Sequence, residues 1–136
     1  MAEGLARDWL RQQGLDSAWT VGSAGVFAVD GSEPSPEVAA LLASRGISEV
    51  GQSASLTLKM LQGAQVVFAM TTAHAEAAQR ILGDAPGPPI QTLDPAGDVP
   101  DPIGHGFGVY ADLADRLDAV LDQVLKEVTH ANNDLG

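Results

Sequence analysis

The sequence predicts an α/β fold built on a parallel sheet, and three observations carry that prediction. Segments of strand length alternate with segments of helical periodicity along the chain. Gln65–Met70 is apolar almost without interruption, as in a parallel strand covered on both faces. Near the C-terminus Leu113, Leu117, Val120, Leu121, Val124, Leu125 and Val128 recur at helical spacing, the stripe of a helix packed on one side.

Taken in order, residues 2–13 read as a helix, with Leu5, Trp9 and Leu10 on one face beside Ala2, Ala6 and Gln13. Gly14 stops it. Its start has no Ser, Thr, Asp or Asn to cap it, so its first N–H groups lack a local acceptor. Ala18–Val26 reads as a short strand with a glycine-rich exit. It continues through Phe27 and Ala28 into a loop, Val29–Pro34, that contains Asp30-Gly31. Ser35 can cap a second helix that opens on Pro36, turns Val38, Leu41 and Leu42 inward and stops at Arg45-Gly46. Residues 47–55 read as irregular, and Leu56–Leu61 as a short helix with Thr57 near its start. After the Gln65–Met70 strand, Thr71 or Thr72 caps a helix through Ala73, Ala77, Ala78, Ile81 and Leu82. Asp84–Pro89 is a Pro/Gly linker, and Ile90–Leu93 a second short strand. The last helix runs from about Val109 to His130, and 131–136 reads as a fraying tail.

Composition narrows the function. The 136 residues suit one domain, and 45% hydrophobic content suits a folded core. Aromatics supply only 4%, so alanine, valine and leucine form most of that core. A formal net charge of −11 argues against nucleic acid and anionic membranes as partners, since both require a basic face. The chain has no cysteine, which removes disulfides, thiolate metal sites and a cysteine nucleophile from these residues. No stretch approaches the roughly 20 apolar residues of a membrane helix, and the first residues lack an apolar signal core. A soluble cytoplasmic protein is the expectation.

The candidate for chemistry is Asp98-Val99-Pro100-Asp101-Pro102-Ile103-Gly104-His105-Gly106. The prolines on either side of Asp101 fix their own φ and restrict the residue before them. Such a loop holds one carboxylate in a set direction, as a general acid requires; the plainer alternative is a turn made of turn-forming residues. In parallel α/β sheets ligands gather at the carboxyl ends of the strands. Ser23-Ala24-Gly25 and Met70-Thr71-Thr72 should converge there with the Asp101 loop. Ser23 offers a hydroxyl, against the alternative of an ordinary strand exit. His74, His105 and His130 lack metal-ligand spacing. Asp94 and Asp98 suit turns better than a carboxylate set with Asp101. No P-loop or dinucleotide glycine fingerprint occurs, and Ser17, Ser23 and Ser35 do not sit in a nucleophile elbow. No metal or cofactor is expected.

Together these segments resemble the low-molecular-weight protein tyrosine phosphatase family. The resemblance rests on Val21-Gly22-Ser23-Ala24-Gly25, Pro36-Glu37 with Leu41, Arg45-Gly46-Ile47, and Ser53 with Leu56-Thr57. It continues through Ala64–Thr71 with His74, Asp98-Val99-Pro100-Asp101-Pro102 with Gly104, and Tyr110. The stretch Ser23–Ala28 with Asp30-Gly31 looks most like the bacterial branch that includes protein-arginine phosphatases. The resemblance implies a three-layer α/β/α fold with a four-stranded parallel sheet. It also implies a phosphate loop of the pattern Cys, five residues, Arg, then Ser or Thr, whose cysteine becomes a phosphocysteine. Asp101 matches the general acid, and Ser23, Phe27 and Tyr110 are the matching candidates for substrate contact.

In the family Met-Ala-Glu commonly follows the phosphate loop, whereas here it is Met1-Ala2-Glu3. The resemblance therefore implies that the first strand and phosphate loop are missing, leaving residues 1–130 as a phosphatase-like domain with a gap beside the Val66 strand. Gly51, Ile103 and His105 also depart from the usual histidine, phenylalanine and glycine. Three repairs of the gap are expected: direct pairing of the strands at Val21 and Val66, a strand donated by a partner chain or a homodimer, or poor folding alone. The implied substrate is a phosphorylated protein or a small phosphoester. The expectation is a start placed at an internal methionine or an inactive chain. The alternatives are a non-catalytic relic that binds a protein partner, or one piece of a split enzyme.

Overall fold

The structure is a computed structural model that describes residues 1–25, 36–47, 54–99 and 107–135. Its elements are α1 (Ala2–Gln12), α2 (Pro36–Ser44), α3 (Leu58–Gly63), β1 (Val67–Ala69), α4 (Thr72–Leu82), β2 (Ile90–Thr92) and α5 (Phe107–Leu135). The chain forms two compact units. One comprises 1–23, 33–51 and 102–136, and the other 24–32 and 52–101.

The first unit is helical. α1 and α2 each pack on α5. Leu5, Ala6 and Leu10 of α1, Leu41 and Leu42 of α2, and Tyr110, Ala114, Leu117 and Leu121 of α5 are buried. The buried line of α5 runs 110, 114, 117, 121, the spacing of one helical face. The helix also continues to Leu135, past the expected end at His130. α1 and α2 stop in the same way. Gly14 N–H donates to the Arg11 carbonyl and Leu15 N–H to that of Leu10; Gly46 and Ile47 repeat the pattern on Ala43 and Leu42. This is the Schellman arrangement, and it needs the left-handed φ of 71° and 76° that glycine adopts without strain. Ile47 and Leu42 are then both buried, the apolar contact that accompanies the motif.

Polar clasps join these helices. Arg45 donates to Asp115 at 3.0 Å and to Asp118. The acids are half exposed or more, so the pairs add at most about 1 kcal/mol. The Trp9 indole N–H donates to Asp122 Oδ1 at 2.9 Å. That bond, helped by Lys126, lowers the Asp122 carboxyl below the usual aspartate value. A depressed carboxyl stabilises the fold above its unfolded pKa of about 3.9 and loses that contribution as pH falls through the folded value. The Trp9 indole N–H signal in an NMR titration should therefore hold constant down to about pH 4 and shift below it.

The second unit holds the parallel sheet. β1 pairs with β2 in the register Val67 with Ile90, Phe68 with Gln91 and Ala69 with Thr92. α4 packs on both strands and on α3. Leu61, Ala78 and Leu82 form its buried centre, with Leu56, Val67, Ala85 and Ile90 packed around them. The helix starts follow their capping residues. Thr57 Oγ1 accepts from Met60 N–H at 3.2 Å, so α3 begins at Leu58 rather than Leu56. Thr71 Oγ1 accepts from His74 N–H at 3.1 Å, which makes Thr71, of the two candidates, the cap of α4. A Cβ at Gly87 would lie 2.6 Å from Leu82 Cδ1 and 3.2 Å from Cδ2. Leu82 is packed in the core, so Gly87→Ala should destabilise by about 1–3 kcal/mol in urea denaturation although position 87 is exposed.

Two expectations are corrected. Ala18–Val26 is not a ladder over its described residues. Ala18 and Trp19 N–H groups close a turn on the Leu15 carbonyl, and the Val21 carbonyl accepts from Arg7 at 2.8 Å. Only Gly25 pairs, in a parallel bridge with Ser55. The reason is that a side chain of α1 takes an acceptor a strand would have used. Direct pairing of the Val21 and Val66 strands is likewise not seen, since among the described residues β1 has β2 as its one strand neighbour. The proposed cap Ser35 lies outside the described residues.

Candidate active site

The candidate site starts from the carboxyl end of β1. β1 runs out through Met70 into Thr71, which caps α4, so strand end and helix start are consecutive. The segment that leaves β2 is tied to this corner at both its ends. Leu93 N–H donates to the Ala69 carbonyl at 2.8 Å, and Val99 N–H to the Met70 carbonyl at 2.8 Å. Between them the chain folds on Asp94, which is buried. Its Oδ1 accepts from Ala96 N–H at 2.9 Å, and its carbonyl accepts from Gly97 N–H at 3.2 Å. An aspartate that bonds the backbone two residues on closes a local turn.

Asp98 then reaches back to α4. Its Oδ1 accepts from the Thr72 N–H at 2.9 Å and from the Thr72 hydroxyl at 3.0 Å. That N–H is one of the donors a helix start leaves unpaired, and a carboxylate there is also favoured by the helix dipole. Val99, the next residue, is buried. The corner thus carries an anchored chain to the edge of Pro100 and Asp101. Asp101 itself, with Phe27, His105, Ile103 and Gly51, lies outside the described residues.

The other candidates belong to the helical unit. The Ser23 hydroxyl donates to Glu3 Oε2 at 2.6 Å, while Glu3 Oε1 pairs with Arg7 at 2.7 Å. This relay ties the 21–23 segment to the first turn of α1. Met1 is the N-terminal cap residue of α1 and makes no side-chain cap hydrogen bond, as its sequence implied. Tyr110 is buried at 3% exposure among the core residues of α5. Among the described residues no group of three or more His, Cys, Asp or Glu side chains could hold a metal ion. Asp94 and Asp98, weighed above as members of a carboxylate set, are engaged in a turn and a helix start. No described helix is long and apolar enough to cross a membrane.

The clasp between Asp98 and Thr72 escaped the sequence reading, which weighed Asp98 as a turn residue or a member of a carboxylate set. Its partners stand 26 residues apart, and nothing local announces the bond.

Comparison with known proteins agrees with this architecture. The chain is 30% identical over 112 residues to the protein-arginine-phosphatase of Geobacillus stearothermophilus, covering 79% of this chain and 76% of that protein. It superposes with a TM-score of 0.82 on the low molecular weight protein tyrosine phosphatase from T. tengcongensis, at 31% identity over 93% of this chain and 88% of that one. A YwlE arginine phosphatase mutant with a phosphorylated active-site serine also matches at TM-score 0.82. There the identity is 28%, over 94% of this chain and 86% of that one. A family profile described as low molecular weight phosphotyrosine protein phosphatase matches residues 1–134. Its α/β fold with a parallel sheet is the one predicted, and the chain belongs to the low molecular weight phosphotyrosine protein phosphatase family.

Proposed function

We propose that this chain serves the hydrolysis of phosphorylated protein side chains in the cytoplasm, phosphoarginine first among them, with Asp101 as the general acid. The observation that carries the reading is the anchored corner before Pro100: Val99 on Met70 and Asp98 on Thr72. A general acid has to stand within hydrogen-bond reach of the leaving atom, and a fixed support suits that need. The preference for phosphoarginine follows from the 30% identity to a protein-arginine-phosphatase.

The chemistry needs two further parts. A thiolate attacks phosphorus, and the leaving nitrogen or oxygen takes the proton of Asp101. Water then attacks the phosphocysteine, giving its proton to the Asp101 carboxylate and releasing phosphate and the thiolate. Backbone N–H groups and an arginine hold the phosphate oxygens meanwhile. The 136 residues contain no cysteine, so the thiolate has to come from outside them. Ser23 and Phe27 remain residues proposed to meet the substrate, whereas Tyr110 is buried in the helical core.

The test is an assay of phosphate release from a phosphoarginine protein. The chain alone should give none, and the chain carrying a cysteine-to-arginine phosphate loop ahead of Met1 should turn over. Release by the chain alone, or none with the loop supplied, would overturn the reading.

A further inference from the structure

We infer that Ser23 meets the substrate as a hydrogen-bond acceptor only, and so favours the N–H groups of a phosphoarginine over the bridging oxygen of a phosphate ester. This deepens the proposed function and rests on the place given there to Ser23. Ser23 is exposed, and its hydroxyl donates to Glu3 Oε2 at 2.6 Å. The other oxygen of the same carboxylate, Oε1, pairs with Arg7 at 2.7 Å. Arg7 also donates to the Val21 carbonyl at 2.8 Å, which ties down the backbone just before Ser23. Glu3 is thus held between two donors, one on each oxygen.

A hydroxyl has one proton to give and two lone pairs with which to accept. An ionised carboxylate only accepts, so the Ser23 proton is committed to Glu3. What the hydroxyl keeps is its acceptor capacity, and among the described residues no group donates to it. The two substrate classes differ in the atom bonded to phosphorus. Phosphoarginine carries nitrogen there, within a guanidinium whose N–H groups donate. An aryl phosphate carries an oxygen that can only accept. Against the Ser23 lone pairs the guanidinium gains a charge-assisted hydrogen bond. The ester oxygen meets an acceptor with an acceptor and displaces the water that Ser23 had bound, which costs free energy. Glu3 acts here as a positioning residue: it sets the direction of one proton and touches no substrate.

The experiment uses the chain carrying a cysteine-to-arginine phosphate loop ahead of Met1. It measures kcat/KM on a phosphoarginine protein and on p-nitrophenyl phosphate. Each substrate is compared with itself across the variants, so leaving-group chemistry cancels. Ser23→Ala should lower the first value about 10-fold, the worth of one hydrogen bond to a charged group, and the second by less than about 2-fold. Ser23→Thr keeps the hydroxyl and should restore the parent preference. Glu3→Gln tests the direction of the proton. Its amide oxygen stays with Arg7, which only donates, and its NH2 group then faces Ser23. The hydroxyl must accept from that amide and turn its own proton outward. The preference for phosphoarginine should then fall about 10-fold, with the far-UV circular dichroism of the parent retained. Equal losses on both substrates in Ser23→Ala, no loss on either, a loss that Ser23→Thr does not restore, or the parent preference in Glu3→Gln would each overturn this inference alone. Turnover of neither substrate by the parent would remove the proposed function and this inference with it.

Discussion

Asp101→Asn should lower phosphate release by about 10²- to 10⁴-fold once a cysteine-bearing phosphate loop stands beside this chain. That is about 3–5 kcal/mol of transition-state stabilisation. Asparagine keeps the size and one acceptor of aspartate but has no proton of suitable acidity to give. The loss should therefore follow the leaving group. Arginine leaves phosphorus badly unless its nitrogen is protonated, so a phosphoarginine protein should show the full effect. p-Nitrophenolate leaves easily as an anion and should show much less. A single-turnover comparison of arginine and p-nitrophenolate release reads this directly, because the later water step is common to both substrates. Equal losses on both would mean that Asp101 supports the loop instead of giving a proton. No loss on either would remove it from the reaction. In the proposed reaction the same carboxylate activates water in the second step, so on p-nitrophenyl phosphate the variant should show a burst of p-nitrophenolate followed by slow phosphate release.

Leu61→Ala should destabilise the sheet-bearing unit by about 2–5 kcal/mol. Leu61 is 1% exposed and lies at the centre of the cluster with Ala78 and Leu82, with Val67 of β1 and Ile90 of β2 packed against it. The substitution removes the side chain that α3 contributes beneath both strands. Two of the six residues around it, Ala78 and Ala85, are alanines, which have no reach to fill the void. That loss is a large part of the 5–15 kcal/mol that holds an ordinary domain together. Urea denaturation followed by far-UV circular dichroism should show a lower midpoint with an unchanged slope, since the surface exposed on unfolding stays the same. A midpoint within experimental error of the parent would mean that the cluster closes over the missing side chain.

Much of the fold was legible because its signals are local. Gly14 and Gly46 end helices since their φ values are ones that other residues adopt only with strain. Thr57 and Thr71 begin helices since a hydroxyl three residues before an N–H is placed to accept from it. The apolar run around β1 and the stripe along α5 are periodicities, and periodicity survives without knowledge of the partner surface. The Asp-Pro loop and the segments around Ser23 and Met70 were enough to point to the phosphatase family, which the matched residues 1–134 then established.

The strand expected at Ala18–Val26 was not legible, because its fate depended on Arg7. Once that guanidinium takes the Val21 carbonyl, β propensity no longer decides the segment. The site candidates divide in the same way. Ser23 was visible as a hydroxyl at a glycine-rich exit, but its bond to Glu3 was not. Tyr110 was visible as a match to the family pattern, but its burial came from the packing of α5.

By itself the sequence determined the helices and the two paired strands in outline, the glycines that stop α1 and α2, the family, and the lack of a thiol among these residues. Tertiary structure alone decided which polar side chains meet across distant segments. It put Asp98 on Thr72 across 26 residues and Trp9 on Asp122 across 113. The physical reason is that capping and turning are settled within four or five residues of backbone. A hydrogen bond between distant segments exists only after the core has brought them together, and no spacing in the chain encodes it.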